Sequence, residues 1–189
     1  MKKYYLSFLC IIIYNIVQGQ PSQYFQLTPN GFKTEENTDY LVIQKDGSAP
    51  ELYSNILLSI GQRFNSPKDI ISPIQNRQIA INAIYPNIVK VKGGLGMADA
   101  YFTLVIEFKD NKIRIFAPKI KYLMNDYGVE ILYICKKTSP LTQTKKMSIF
   151  DYKTLEIRSP EYKETIEDAF NLLLYDLINS NTNNGDDDW

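Results

Sequence analysis

A β-hairpin in the middle of the chain is the sequence feature that most constrains its fold. Tyr101 to Phe108 is rich in β-branched and aromatic residues, Asp110-Asn111 has the composition of a tight turn, and Lys112 to Tyr122 leads the chain back. The returning segment alternates Ile113, Ile115 and Ala117 with Lys112, Arg114 and Phe116. A period of two predicts an antiparallel sheet with one face toward a core and one toward solvent.

Three further strands and two amphipathic helices are predicted around this hairpin. The strands are placed at 39–45, 68–74 and 79–85, with 88–91 extending or following the last one. Ser48-Ala49-Pro50-Glu51 has the form of a capping box and predicts a helix ending near Ser66, whose apolar stripe is Leu52, Ile56, Ile60 and Phe64. Ser159-Pro160-Glu161 begins the second helix, whose stripe is Tyr162, Ile166, Ala169, Phe170, Leu173, Leu174, Leu177 and Ile178.

The sequence predicts a single domain between an export leader and a polar tail. Residues 1–19 are interpreted as a signal peptide, 20–38 as a polar segment with little order, 39–178 as one α+β domain, and 179–189 as a disordered acidic tail. The segment 123–159 gives no clear pattern. At 189 residues the chain is long enough for one domain with a substantial core.

The leader has a cationic start, an apolar centre and a small residue before the expected cleavage point. These parts are Met1-Lys2-Lys3, Tyr4 to Val17, and Gly19 just before Gln20. This arrangement is typical of a cleaved signal peptide, and the apolar run is short for a membrane span. We therefore expect a soluble periplasmic or extracellular protein with no membrane insertion after cleavage. A retained anchor and lipid attachment at Cys10 stay open, although the bulky and apolar neighbours of Cys10 disfavour the latter.

Composition excludes several classes of function. The chain has no histidine, so histidine-based triads and metal sites are impossible. Cys135 is the one cysteine after the leader, which rules out an internal disulfide, and its apolar neighbours predict burial. Loss of Lys2 and Lys3 leaves 19 basic and 21 acidic residues, a net charge of −2, which argues against nucleic acid as a partner. No cofactor, metal or catalytic residue is predicted.

The remaining motifs have ordinary structural explanations. Gly93-Gly94-Leu95-Gly96 lacks the Lys and the following helix of a phosphate-binding loop and is interpreted as a connection between strands. The carboxylates Glu164, Glu167 and Asp168 fall outside the helical stripe, which predicts a solvated helix face. Glu107 and Glu130 lie in apolar strand-like runs, and alternation predicts the outer sheet face for Glu107. Lysines at 136–137 and 145–146 and the aspartates at 186–188 are interpreted as solvated charges.

The order of elements and several short sequence segments resemble those of a known family. The segments are Pro50-Glu51-Leu52-Tyr53, Phe64 to Ile71 (FNSPKDII), Tyr101 to Ile106 (YFTLVI) and Lys109 to Arg114 (KDNKIR). Over Asp39 to Tyr122 the chain resembles a domain of unknown function with a TBP-like fold, found in exported Bacteroidetes proteins. The resemblance implies a β-α-β-β-β-β-α unit in which two helices pack on one face of an antiparallel sheet. It implies no activity and no site residues.

Two classes of function stay open, with a purely structural role as a third possibility. The first is a non-enzymatic binding module for an envelope protein or a glycan, in which the solvent-side aromatics Tyr101, Phe116 and Tyr122 contact the partner. The aromatic fraction of 13% motivates this interpretation. The alternative is a hydrolase of envelope or environmental glycans, which needs two carboxyl groups roughly 5 to 9.5 Å apart in a cleft.

Overall fold

The computed structural model describes residues 23–136 and 147–179. In chain order its elements are β1 (Gln26–Thr28), β2 (Gly31–Lys33), β3 (Tyr40–Gln44), α1 (Ala49–Arg63), α2 (Pro67–Ile70), β4 (Ile71–Ile74), β5 (Gln78–Val91), β6 (Gly96–Lys109), β7 (Lys112–Phe116), β8 (Lys119–Met124), β9 (Glu130–Cys135), β10 (Ser148–Phe150) and α3 (Pro160–Asn179). Some residues named above lie outside this described part of the chain: the leader, Lys137, Lys145, Lys146 and the acidic residues 186–188.

The centre of the fold is a large, mostly antiparallel sheet. Its strands follow the order β10-β9-β8-β6-β5-β4, and β7 pairs with β6 on one edge and with β3 on the other. Among the strand pairs of the described residues, β9 with β10 is the parallel one. The predicted hairpin is confirmed, with Phe108 opposite Ile113 and Lys109 opposite Lys112. Asn111 takes a positive φ of 60° in its turn, a conformation that asparagine tolerates well.

Helices α1 and α3 pack on the same face of this sheet, as predicted. Tyr53 of α1 meets Phe108 of β6 with ring centroids 5.5 Å apart, and Phe170 of α3 meets Phe102 of β6 at 5.1 Å. Phe102 and Phe108 both occupy buried, even-numbered positions of β6. The core therefore lies between the two helices and one sheet face, and the α+β class is confirmed.

The turn of the central hairpin also fixes the start of α1. Asp110 accepts a hydrogen bond from the Ala49 backbone N–H at 2.9 Å, and Asn111 donates its backbone N–H to the Gly47 carbonyl at 2.8 Å. The predicted capping box is confirmed, because Ser48 accepts from the backbone of Glu51 while Glu51 accepts from the backbone N–H of Ser48. This last bond, and a second to the Ser48 hydroxyl, lower the pKa of Glu51.

The segment before β3 is more ordered than the sequence predicts. Within 20–38, β1 and β2 form an antiparallel hairpin whose residues Leu27 and Phe32 are buried, together with Phe25 before it. The prediction of little order for this segment was wrong for residues 26–33. The physical reason is a set of hydrogen bonds from α3, which is distant in sequence.

The strands after the central hairpin also depart from the predicted order. Ala117-Pro118 divides the single predicted segment 112–122 into β7 and β8, and the strand register with β6 shifts near Phe102. The unassigned region 123–159 contributes β9 and β10 to the sheet. Of the strand predicted at 68–74, residues 68–70 belong to the helical turn α2, which starts at Pro67, and 71–74 form β4. The predicted β-α-β-β-β-β-α order is therefore incomplete.

Candidate functional site

The sheet face opposite α1 and α3 is the candidate site. Along β6, buried residues alternate with partly exposed ones, and the partly exposed side chains point away from the helices. Cross-strand pairing places neighbouring residues on that same face, because directly opposed residues of a sheet share a side. We call this surface the open face; it carries Tyr40, Val42, Asn82, Ile84, Tyr101, Thr103, Val105, Glu107, Arg114, Phe116 and Tyr122.

Two tyrosines and an isoleucine form one apolar group on the open face. Tyr101 of β6 lies between Ile84 of β5 and Tyr122 of β8 in the strand register. Tyr122 is 49% exposed and Ile84 is 45% exposed, so both side chains are accessible to a partner. An exposed tyrosine offers a flat apolar ring and a polar hydroxyl, the combination that suits an amphipathic ligand.

A polar network borders these tyrosines. Thr103 lies opposite Asn82 and donates its hydroxyl to the Asn82 side-chain oxygen at 2.8 Å. Lys121 reaches across β6, and its Nζ lies 3.4 Å from the same oxygen. We call Asn82, Ile84, Tyr101, Thr103, Lys121 and Tyr122 the tyrosine patch. It combines aromatic rings with hydroxyl, amide and ammonium groups.

Phe116 belongs to a second group on the same face. Its ring lies 6.2 Å from that of Tyr40, and the Arg114 guanidinium lies 5.2 Å from the centre of the Tyr40 ring. Arg114 also pairs with Glu107 at 3.2 Å. Glu107 therefore lies on the outer sheet face, as predicted, where it and Arg114 help to line a small pocket of about 110 Å³.

The three aromatic residues predicted as contacts therefore share the open face but not a single group. Ile115 lies opposite Ile106 in the strand register, so the next residue, Phe116, lies beside Val105. Val105 is four residues from Tyr101 along β6. At the strand rise of ~3.3 Å per residue, that is a separation of about 13 Å. A small ligand contacts one group, whereas a long one spans both.

Glu167 and Asn171 of α3 are buried, which corrects the prediction of a solvated helix face for Glu167. Glu167 is 5% exposed, accepts the Leu27 backbone N–H, and lies 2.6 Å from the Lys163 ammonium. Asn171 accepts the backbone N–H of Phe25 at 3.0 Å and donates to the Phe25 carbonyl at 2.9 Å. These side chains hold the β1–β2 hairpin onto α3, so their role in the structure is architectural.

Other carboxylates also have structural contacts. Glu130 lies 3.4 Å from Lys136, Glu161 lies 2.5 Å from Lys92, and Asp151 pairs with Arg158. Within residues 23–136 and 147–179, no group of three or more His, Cys, Asp or Glu residues is placed to hold a metal ion.

The glycine-rich loop occupies the kind of position that the sequence predicts, whereas Cys135, predicted to be buried, is only partly buried. Gly93 and Gly94 form the turn between β5 and β6 with φ of 86° and 77°, a backbone conformation that glycine adopts readily. Cys135 ends β9, is partly buried against the core, and burial raises the pKa of its thiol. A raised thiol pKa lowers the fraction of this cysteine that is present as thiolate.

No helix among the described residues has the length and the apolar content needed to span a membrane. No family model matches the chain, and no curated protein matches it. Among solved structures, the chain is similar to a TBP-like protein from Parabacteroides distasonis ATCC 8503. The two are 13% identical with a TM-score of 0.47, and the alignment covers 73% of this chain and 87% of the other.

Proposed function

We propose that this protein is an exported, non-enzymatic binding module with a TBP-like domain, and that its open face binds a glycan of the cell envelope. The observation that carries the proposal is the tyrosine patch. Sugar rings present C–H groups that pack on an aromatic face and hydroxyl groups that bond to amides, hydroxyls and ammonium groups. The patch supplies both kinds of contact side by side on a surface that the helices leave open.

The tyrosine patch contains no carboxylate among the residues that define it, which favours binding over catalysis at this surface. Elsewhere, Glu51 caps a helix, Asp110 accepts from the start of that helix, and Glu107 pairs with a cation. A glycan hydrolase needs two carboxyl groups that face the substrate. The hydrolase alternative stays a prediction of the sequence.

Loss of the two tyrosine rings should weaken glycan binding. In the Tyr101→Ala/Tyr122→Ala double variant we expect affinity for an envelope polysaccharide to fall by roughly five- to a hundredfold, because each ring contributes about 0.5 to 1.5 kcal/mol beyond its area. Isothermal titration with the purified polysaccharide fractions of the native envelope measures the change.

Tyr175→Ala is the matched control, since Tyr175 is a comparably exposed tyrosine on α3, on the other side of the sheet. We expect this variant to bind like the parent. Equal binding by the double variant and the parent would exclude the tyrosine patch, and failure of the parent to bind any envelope polysaccharide would refute the glycan proposal.

Export has a separate test in the N-terminus of the mature protein. We expect intact-mass and N-terminal peptide analysis of the protein from its native cells to give Gln20, or its cyclised pyroglutamate form, as the first residue. A mature protein that retains Met1, or one that carries a lipid on Cys10, contradicts this prediction.

A further inference from the structure

The outer edge of β3 is an unpaired strand edge within the described part of the chain. β3 pairs with β7 on its other side. The backbone N–H and C=O groups of odd-numbered residues along β3 point toward β7. The Ala117 N–H donates to the Asp39 carbonyl, and the Lys45 N–H donates to the Asn111 carbonyl. In an antiparallel pair the backbone groups alternate in direction, so those of Val42 and Gln44 point outward to the edge.

This edge lacks proline and charge, two of the features that normally prevent strand addition. β4, at the far side of the sheet, contains Pro73, which has no N–H to offer to a further strand. β3 has the sequence Tyr-Leu-Val-Ile-Gln, without proline or charge, and Val42 is 46% exposed. Edges that are exposed, uncharged and free of proline are templates for pairing with another chain.

A groove of about 510 Å³ lies beside this edge. One wall is β3 itself, and the other includes Tyr24 and the turn from Thr34 to Thr38. That turn is braced by a 2.9 Å bond from the Thr34 N–H to the Thr38 carbonyl and by a 2.7 Å contact between the two hydroxyls. The groove is thus preformed, which lowers the entropy lost when a segment binds.

The charged residues that line the groove are both acidic. They are Glu35 and Glu36, each exposed on the turn, and the other lining residues are uncharged. Two adjacent carboxylates at the rim favour a positively charged ligand and disfavour an acidic one.

We propose that the outer edge of β3 accepts an extended, lysine- or arginine-bearing segment of a partner protein. The segment adds as a further strand through the backbone of Val42 and Gln44, and its basic side chains face Glu35 and Glu36. Backbone bonds supply affinity in this mode of recognition, and side chains at the rim supply specificity. The site is separate from the tyrosine patch and does not depend on what the patch binds.

A second copy of the chain is the alternative occupant of this edge. An antiparallel pairing of two β3 strands centred on Val42 places Lys45 of the second copy opposite Asp39 and Asp46 opposite Thr38. Lys45 also donates to the Ile178 carbonyl at 2.6 Å, and neither residue brings a cation to Glu35 and Glu36. A basic segment of a partner protein does bring one, and the oligomeric state distinguishes the two occupants.

Synthetic peptides test the proposal directly on the full mature protein. The first is a labelled eight-residue peptide that alternates Lys with Val; the second has Glu in place of Lys; the third is the Lys peptide with N-methylated backbone at alternate residues. We expect fluorescence anisotropy to show binding of the first peptide alone. The Glu35→Lys/Glu36→Lys variant, altered at two exposed positions, should bind the Lys peptide roughly tenfold more weakly.

Tyr122→Ala on the open face is the control and should bind the Lys peptide like the parent. Equal binding of the Lys and Glu peptides, retained binding of the N-methylated peptide, or no binding of any peptide would each overturn the proposal. Sedimentation as a dimer that the Lys peptide does not dissociate would also overturn it and assign the edge to a second copy.

Discussion

Phe170→Ala should destabilise the protein by about 3 to 5 kcal/mol, the range measured for phenylalanine truncations in protein cores. Phe170 is 1% exposed, and its ring packs edge-on against Phe32 at 5.2 Å and Phe102 at 5.1 Å, with Tyr85 at 6.0 Å. It therefore joins α3, the sheet and the β1–β2 hairpin at one point. Urea unfolding followed by far-UV circular dichroism measures the loss in the free energy of unfolding.

Leu172→Ala is the matched control on the same helix. Leu172 is 44% exposed, so its truncation leaves no cavity and should change stability by less than about 0.5 kcal/mol. If Phe170→Ala unfolds at the same urea concentration as the parent, α3 does not pack on the sheet as described.

Glu167→Ala should cost about 1 to 3 kcal/mol, because it leaves the buried Leu27 N–H without its acceptor. Glu167 bonds the Leu27 N–H and pairs with Lys163, and its side chain is 6% exposed. The β1–β2 hairpin should also open locally. Hydrogen exchange at the Leu27 amide measures that opening, and urea unfolding measures the total loss.

Glu164→Ala is the matched control for this prediction, since it removes the same side chain from an exposed position of the same helix. We expect nearly unchanged stability and unchanged exchange at Leu27. If the two variants are equally stable, the hairpin is held by other contacts.

Sequence periodicity predicts the two helices and the central hairpin well because these elements follow local rules. The capping box at Ser48 and the stripe of α3 are each contained within one element, and burial in the structure follows both. The shared face of Tyr101, Phe116 and Tyr122 was also predictable, because a period of two fixes the side of a sheet to which a side chain points.

The β1–β2 hairpin was missed because the contacts that order it are distant and polar. Its strands have three residues each, too few to be stable alone, and they are fixed by Glu167 and Asn171. The amphipathic pattern of a helix predicts that polar residues such as Glu167 and Asn171 face solvent. A usable signal was present, because Phe25 and Leu27 alternate with polar residues before the turn at Pro29-Asn30-Gly31.

The arrangement of the tyrosine patch was not predictable from sequence either. The register shift between Tyr101 and Phe102 places an extra residue in β8, and it is across this irregular pairing that Lys121 reaches Asn82. A bulge of this kind depends on how two strands meet, and no local pattern in either strand specifies it.

The contacts of α3 also determine when the protein can fold. Its side chains bond the backbone at Leu27 and Phe25, 140 and 146 residues earlier, and its Ile178 carbonyl accepts from Lys45 across 133 residues. Contacts between such distant segments form slowly, because a long loop must close first. A nascent chain that ends before Pro160 leaves the inner face of its sheet without α3. The complete core can therefore form only after the residues from Pro160 onward have been synthesised.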